Sequence, residues 1–203
     1  MGQWTTGAVT GELRSALRAT LEQFHAFRED RPKEEKWELI DGVMIMMAPP
    51  SLVHHCIATN IDRLLDARLQ VVGLPWRSDR EIGVVVEADD QYNPEPDVVV
   101  IDAAAEFGKI YADRFYFVAE VLSPNDKSFV LGLKRAYYKA HAPCRGMIFV
   151  RQDAVAAELI VRDGAGWRTA ELTDATATIT IPDIGTIGTL GALYRHTPLY
   201  PVA

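Results

Sequence analysis

The sequence predicts one α/β domain of the α+β type, with a mixed central sheet. Three observations predict it: segments with apolar residues at helical spacing, short and nearly continuous apolar runs, and Asp-Gly turns between segments. The length of 203 residues suits a single domain over residues 1–203. A hydrophobic fraction of 48% and a charged fraction of 24% are typical of globular proteins. They exclude a largely disordered chain, a collagen-like repeat and a coiled coil.

The first expected element is an N-terminal helix over about residues 12–28. Its apolar residues recur at helical spacing; they are Leu13, Leu17, Leu21 and Phe24. Thr20 followed by Gln23 can form a capping box, so a later helix start is the alternative.

A hairpin and a second helix are expected next. The strands cover 37–40 and 43–47, because Asp41-Gly42 supplies the positive φ angles that a two-residue turn requires. Ser51 can cap the following helix, whose apolar face ends near Gly73. That face carries Ile57, Ile61, Leu64, Leu65 and Leu69.

The rest of the chain alternates predicted strands with one long helix. The segments 82–86, 97–101, 115–122 and 146–150 are predicted strands, and a helix is predicted over 128–141. A β-meander is expected over 155–161, 167–172 and 177–181, and a short helix over 188–194. The core is therefore expected within about 37–150, with a C-terminal β extension over about 151–195.

Several classes of protein are excluded by missing features. No apolar run approaches the roughly 18 residues of a membrane span, and residues 1–6 do not resemble a secretory signal. Cys56 and Cys144 form no metal-binding or disulfide pattern, which favours a reducing, cytoplasmic location. The sequence contains neither a GxSxG turn nor a phosphate-binding glycine-rich loop.

The charge distribution is uneven along the chain. The net charge of −7 argues against tight, unassisted binding to nucleic acid. Residues 81–120 carry ten acidic side chains against two basic ones, whereas residues 121–151 carry six basic side chains against one acidic one. Such a boundary can place a cation beside an anion-binding surface, although two ordinary solvated surfaces would give the same pattern.

Two carboxylates on apolar strands are the strongest candidates for chemistry. Asp97 begins one strand, and Glu120 interrupts the apolar run of the next long strand. A buried carboxylate is costly unless a cation or hydrogen bonds compensate it. Asp97, Glu120 and the Val121 carbonyl would make an oxygen-rich site for Mg²⁺ or Mn²⁺. Lys134 and Tyr138 share one face of the following helix, from which Lys134 could reach the same place.

Four stretches of the chain resemble the Uma-two family, which is classed with the endonucleases of the PD-(D/E)XK superfamily. The stretches are Trp37-Glu38-Leu39-Ile40-Asp41-Gly42, Met47-Ala48-Pro49-Pro50-Ser51 with His54, Pro96-Asp97-Val98-Val99-Val100, and Val118-Ala119-Glu120-Val121-Leu122-Ser123-Pro124 with Lys134 and Tyr138. The resemblance covers about residues 20–195. It implies a restriction-endonuclease-like αβββαβ core.

The resemblance also implies roles for individual residues. Asp97 and Glu120 fall on the two metal-binding carboxylates, and Lys134 falls on a catalytic lysine that has moved to the helix, since Leu122 occupies its usual place. Glu38 matches a further site glutamate, although a salt-bridged glutamate at a strand end is the alternative. His54 and Tyr138 are expected to bind substrate; for His54, a helix N-terminal histidine satisfied by the backbone is equally compatible.

The expected function is therefore Mg²⁺- or Mn²⁺-dependent hydrolysis of DNA phosphodiester bonds, with a homodimer as the expected assembly. Two alternatives remain open. One is a non-catalytic nucleic-acid-binding or regulatory module on the nuclease fold. The other is a hydrolase of another phosphoester, such as RNA or a nucleotide, because the same ions serve all these substrates.

Overall fold

The protein is described by a computed structural model that covers residues 18–86, 89–124 and 126–200. Helix α1 spans Leu21–Glu29. It begins where the capping-box alternative places it, because the Gln23 N–H donates to the Thr20 hydroxyl and the Thr20 N–H donates to the Gln23 side chain. Residues 18–20 are not helical, so the prediction that they belong to the helix is wrong. Residues 12–17 lie outside the described ranges.

The predicted hairpin and the second helix are present. Strands β1 (Trp37–Ile40) and β2 (Val43–Met46) pair antiparallel. Asp41 and Gly42 connect them with φ angles of 54° and 72°. Helix α2 spans Leu52–Val72; Ser51 caps its start, and Gly73 ends it in the left-handed conformation.

The remaining elements complete the sheet and its covering layers. They are β3 (Trp76–Asp79), β4 (Gly83–Val84), β5 (Val98–Asp102), β6 (Tyr111–Ala112), β7 (Phe115–Leu122), α3 (Ser128–Ala140), β8 (Gly146–Arg151), β9 (Ala157–Asp163), β10 (Gly166–Leu172), β11 (Thr178–Ile181), β12 (Gly185–Thr189) and α4 (Leu190–Leu193).

Six strands form the central sheet in the order β10-β9-β8-β7-β5-β3. Neighbouring strands are antiparallel except for β7 and β8, which are parallel because helix α3 connects them. The succession α2-β3-β5-β7-α3-β8 is the predicted αβββαβ core with a mixed sheet, so the predicted fold class is confirmed. Within the described ranges, none of the helices has both the length and the apolar character needed to cross a bilayer.

Three predictions about smaller elements are corrected. The strand predicted over 82–86 contains only the two residues of β4, which pair with β6 outside the central sheet. The segment 177–181 does not extend the meander, because β11 pairs with β12. The helix predicted over 188–194 is limited to α4, since Gly188 and Thr189 belong to β12. Strands β3, β6 and β12 have no counterpart among the predicted elements.

The two faces of the central sheet carry separate cores. On one face Val98 and Val100 of β5 pack in a cluster with apolar residues of α2. On the other face Val99 and Val118 pack in a cluster with Tyr137 and Tyr138 of α3. Both faces are covered, which explains the nearly continuous apolar runs of β5 and β7.

Candidate active site

Asp97 and Glu120 lie at the same end of the central sheet, on its α3 side. Val99 and Val118 are register partners on that face. Because side chains alternate along a strand, Asp97 and Glu120, each two positions away, project to the same side. Both are buried, with 8% and 7% of the residue exposed. The Val121 N–H donates to Asp97 Oδ2 at 2.7 Å and ties the start of β5 to the end of β7.

Lys134 enters this cluster from helix α3. Its Nζ lies 3.0 Å from Glu120 Oε1 and 2.9 Å from Glu38 Oε1, and only 3% of the residue is exposed. The ammonium therefore bridges Glu120 and Glu38. The hairpin supplies Glu38 from β1, which brings an N-terminal carboxylate to the carboxylate end of the core.

Tyr138 lies one helical turn after Lys134 and completes the contacts of Glu120. Its hydroxyl donates to Glu120 Oε1 at 2.6 Å, and the side chain is fully buried. The hydroxyl is therefore directed at a site carboxylate. The substrate-binding role expected for Tyr138 stays a prediction.

His54 approaches Asp97 from the first turn of α2. Its Nε2 lies 3.2 Å from Asp97 Oδ2, and its backbone N–H donates to the Ser51 hydroxyl. The buried Nδ1 has no hydrogen-bond partner in the structure. The backbone contact agrees with the helix N-terminal alternative, but the imidazole also contacts a candidate site carboxylate.

Burial and neighbouring charges shift the proton affinities of these groups. Burial, reinforced by Glu38 and Asp97, raises the pKa of Glu120 to about 7 despite the adjacent Lys134 ammonium. Burial lowers the pKa of Lys134, but Glu120 and Glu38 outweigh it and hold the pKa above its ordinary value. Burial raises the pKa of Asp97, but hydrogen bonding to His54 and Val121 prevails and keeps it below its ordinary value. Repulsion between carboxylates thus acts mainly on Glu120.

The arrangement fits a divalent cation by its charge and by an unused oxygen. Asp97, Glu120 and Glu38 together carry three negative charges when ionised, and Lys134 neutralises one of them. Glu38 Oε2 is buried without a hydrogen-bond partner in the structure, which leaves an anionic oxygen uncompensated. Among residues 18–86, 89–124 and 126–200, no group of three or more His, Cys, Asp or Glu side chains could hold a metal by itself. A cation held by two of these carboxylates would complete its coordination with backbone oxygens or water.

Three further charged residues belong to the neighbourhood of the site. The Glu95 N–H donates to Glu38 Oε1 at 2.8 Å. Lys36 lies 3.8 Å from Glu95 Oε1. Asp126 Oδ2 accepts from the Ser123 N–H at 2.7 Å. Burial raises the pKa of Asp126 above its ordinary value and outweighs the lowering by the Ser123 N–H and by Lys134. None of these three residues was predicted from the sequence. Glu95 could have been found by its position two residues before Asp97, whereas no pattern distinguishes Lys36 or Asp126 from ordinary surface charges.

The chain is similar in fold to a solved structure and in sequence to a known family. A crystal structure of a protein from Anabaena variabilis, described as "a putative nuclease belonging to DUF820", has a TM-score of 0.68 against this chain. The sequences are 16% identical, and the match covers 86% of this chain and 97% of the other. No curated protein matches the chain. The Uma2 family, described as "Putative restriction endonuclease", matches residues 21–189, and the chain belongs to this family.

Proposed function

We propose that the protein is a metal-dependent nuclease that hydrolyses phosphodiester bonds in DNA. The observation that carries the proposal is the Lys134 ammonium, held 2.9 Å and 3.0 Å from two buried carboxylates at the sheet end where Asp97 also lies. Desolvating a lysine and two carboxylates costs several kcal/mol, so stability alone is a weak explanation for this cluster. The family description and the restriction-endonuclease-like core support phosphodiester hydrolysis.

Asp97, Glu120 and the Val121 carbonyl would hold the metal. Carboxylate and carbonyl oxygens are the ligands that Mg²⁺ and Mn²⁺ prefer. When bound, the cation supplies Lewis-acid polarisation of the phosphate. His54 keeps the Asp97 carboxylate oriented through its contact with Oδ2, and the Val121 N–H fixes the same oxygen from the neighbouring strand.

Lys134 would stabilise the negative charge that develops on the phosphate oxygens during hydrolysis. Glu38 and Glu120 hold its ammonium charged and in place. Tyr138 orients Glu120 through its hydroxyl, so we assign it a positioning role in preference to direct substrate contact. A substrate-binding role for His54 stays a prediction, because its unpartnered ring nitrogen, Nδ1, is buried in the free protein. Pairing of two subunits to cut both strands stays a prediction.

The proposal is tested by incubating purified protein with plasmid, single-stranded DNA and RNA, in Mg²⁺, in Mn²⁺ and in EDTA. Asp97→Ala is the test variant. Asp102→Ala is the matched control, since Asp102 ends strand β5 and Asp97 immediately precedes its start.

We expect DNA cleavage that requires metal, disappears in Asp97→Ala and persists in Asp102→Ala. Cleavage of RNA alone would identify a hydrolase of another phosphoester. Binding of nucleic acid with no cleavage under any condition would contradict the nuclease proposal and identify a binding module.

A further inference from the structure

A basic pocket lies beside the hairpin that supplies Glu38. It is a cavity of about 230 Å³ lined by Arg28, Arg31, Pro32, Lys33, Glu35 and Trp37. Three of its six lining residues are cationic and one is acidic, in a chain whose net charge is −7. The pocket is therefore a local exception to the acidic character of the protein.

Two of the three cations are available to a ligand. Arg28 lies 3.5 Å from Glu95 Oε2, whereas Arg31 and Lys33 are exposed and form no ion pair with any described carboxylate. The Arg31 guanidinium lies 4.6 Å from the centre of the Phe27 ring. This stacking holds the guanidinium in place and leaves its hydrogen-bond donors for a bidentate anion such as phosphate.

Trp37 contributes a fixed aromatic ring to the same pocket. Its indole N–H donates to Glu35 Oε2 at 2.8 Å. Its ring packs nearly perpendicular to Phe27, with centroids 4.9 Å apart. Because both contacts orient the indole in the free protein, a stacking partner would find the ring already positioned.

The basic pocket adjoins the candidate active site through short connections. Trp37 immediately precedes Glu38 on β1, so the two side chains lie on opposite sides of that strand. Glu95 links the two regions directly: its backbone N–H donates to Glu38, and its carboxylate lies between Arg28 and Lys36. The pocket and the site therefore lie on the two sides of strand β1, and a chain-like substrate that occupies both has to cross the hairpin.

We propose that the basic pocket binds the phosphate backbone of the substrate strand beside the scissile bond, with an unpaired base stacked on Trp37. The inference rests on the proposed nuclease function. The volume of about 230 Å³ is smaller than the roughly 300–1,000 Å³ of sites that enclose a whole small molecule. It suits one segment of a longer ligand, and a cationic surface with an aromatic ring is the usual platform for unpaired nucleotides.

The test measures binding without cleavage. A fluorescein-labelled single-stranded oligonucleotide and its duplex are titrated by anisotropy in EDTA, over a series of salt concentrations. The pocket variant is the double substitution Arg31→Gln with Lys33→Gln. Its matched control is Lys109→Gln with Arg168→Gln, which removes the same charge from exposed cations outside the pocket.

We expect the pocket variant to bind the oligonucleotide about tenfold more weakly than wild type. The slope of the logarithm of its binding constant against the logarithm of the salt concentration should be smaller by about 1.4, because each phosphate contact on a single strand contributes about 0.7. The control should change both much less. Trp37→Leu should weaken single-strand binding by roughly fivefold or more and leave duplex binding nearly unchanged. Circular dichroism on each variant verifies the fold.

Equal losses in the pocket variant and the control would overturn the proposal, because net charge alone would then explain binding. Equal effects of Trp37→Leu on single strand and duplex would overturn the stacking. The outcomes for the two proposals are distinguishable. If the wild-type protein cleaves no nucleic acid but the pocket variant binds more weakly than the control, the proposed binding surface stands and the proposed nuclease function fails. If the wild-type protein cleaves DNA but the pocket variant binds as well as the control, the nuclease function stands and the proposed role of the pocket fails.

Discussion

The two ends of strands β5 and β7 carry the same kinds of residue in opposite surroundings. At one end Asp97 and Glu120 are 8% and 7% exposed; Asp97 contacts His54, and Glu120 contacts Lys134. At the other end the side chains of Asp102 and Arg114 are 34% and 61% exposed and lie 3.9 Å apart. We call these the buried end and the open end.

The difference shows that burial, more than charge, distinguishes the residues of the candidate site from the charged residues on the protein surface. Exposed ion pairs contribute roughly 0–1 kcal/mol to stability because water solvates both partners well. A buried pair costs several kcal/mol to desolvate, and removing one partner leaves the other uncompensated. The same substitution should therefore have a large effect at the buried end and a small one at the open end.

The largest contrast is expected for Asp97→Ala against Asp102→Ala. Removing Asp97 takes away one of two anionic metal ligands, so turnover should fall by about a thousandfold or more, since a bound metal contributes several kcal/mol to the transition state. Isothermal titration with Mn²⁺ should show binding to wild type and to Asp102→Ala but not to Asp97→Ala. Equal Mn²⁺ affinity in all three proteins would show that Asp97 is not a metal ligand.

The second contrast concerns stability and uses Lys134→Met against Arg114→Met. Loss of the Lys134 ammonium leaves Glu38 and Glu120 facing each other in a buried site, which should lower the free energy of unfolding by about 3–5 kcal/mol. Loss of Arg114 should change it by less than about 1 kcal/mol. Urea unfolding at pH 8, where Glu120 is largely ionised in the wild-type protein, measures both. Similar losses in the two variants would mean that the buried ion pairs do not differ energetically from the open one.

The buried end was predictable from sequence because its residues break a pattern. Glu120 is conspicuous as a carboxylate within the apolar run of β7, and Asp97 as a carboxylate at the start of β5. Lys134 and Tyr138 are four positions apart, so the helical period places them on one face. The β1–β2 hairpin was predictable from local signals, since Asp41-Gly42 is a turn sequence between two strand-like runs. The αβββαβ order came from the family resemblance, since strand β3 has no local signal in the sequence.

What the sequence could not predict depends on tertiary contacts. Strand β3, with the sequence Trp76-Arg77-Ser78-Asp79, has no alternating apolar pattern and is a strand because it pairs with β5 at the sheet edge. The role of Glu38 as a second partner of Lys134 requires the hairpin to fold over the end of the sheet. The position of Glu95 beneath that hairpin has the same origin.

A smaller contrast is expected for Tyr138→Phe against Tyr116→Phe. Both hydroxyls donate to a carboxylate at 2.6 Å, Tyr138 to buried Glu120 and Tyr116 to half-buried Asp102. A hydrogen bond to a charged, buried acceptor is worth about 1.5–3 kcal/mol, whereas water can replace the donor at the open end at a cost below about 1 kcal/mol. Thermal unfolding of both variants gives the comparison; a larger loss for Tyr116→Phe would show that burial of the acceptor does not decide the strength of the hydrogen bond.

The smallest effect is a pH dependence from His141, which packs near the open end. Its ring stacks on Phe115, and its Nε2 accepts from the Phe115 N–H at 3.3 Å, so the buried imidazole is neutral. Burial, together with Arg114 and Arg162, lowers its pKa to about 4. In the unfolded chain the imidazole takes up a proton near its ordinary pKa of about 6.5. The stabilisation that the neutral, buried imidazole provides is therefore complete above that pH and is lost as the pH falls through about 4.

Glu120 acts in the opposite sense, because its pKa is raised and its protonation stabilises the fold as the pH falls below about 7. Subtracting His141→Asn from wild type cancels the Glu120 contribution, since both proteins contain it. Urea unfolding at pH 7.5, 5.5 and 4.5 should show wild type more stable at pH 7.5 by about 1 kcal/mol, the value of the lost hydrogen bond. The difference should fall at each lower pH and change sign by pH 4.5, because each unit of pKa shift is worth about 1.4 kcal/mol. A difference that stays constant over this range would show that His141 is protonated equally in the folded and unfolded chains.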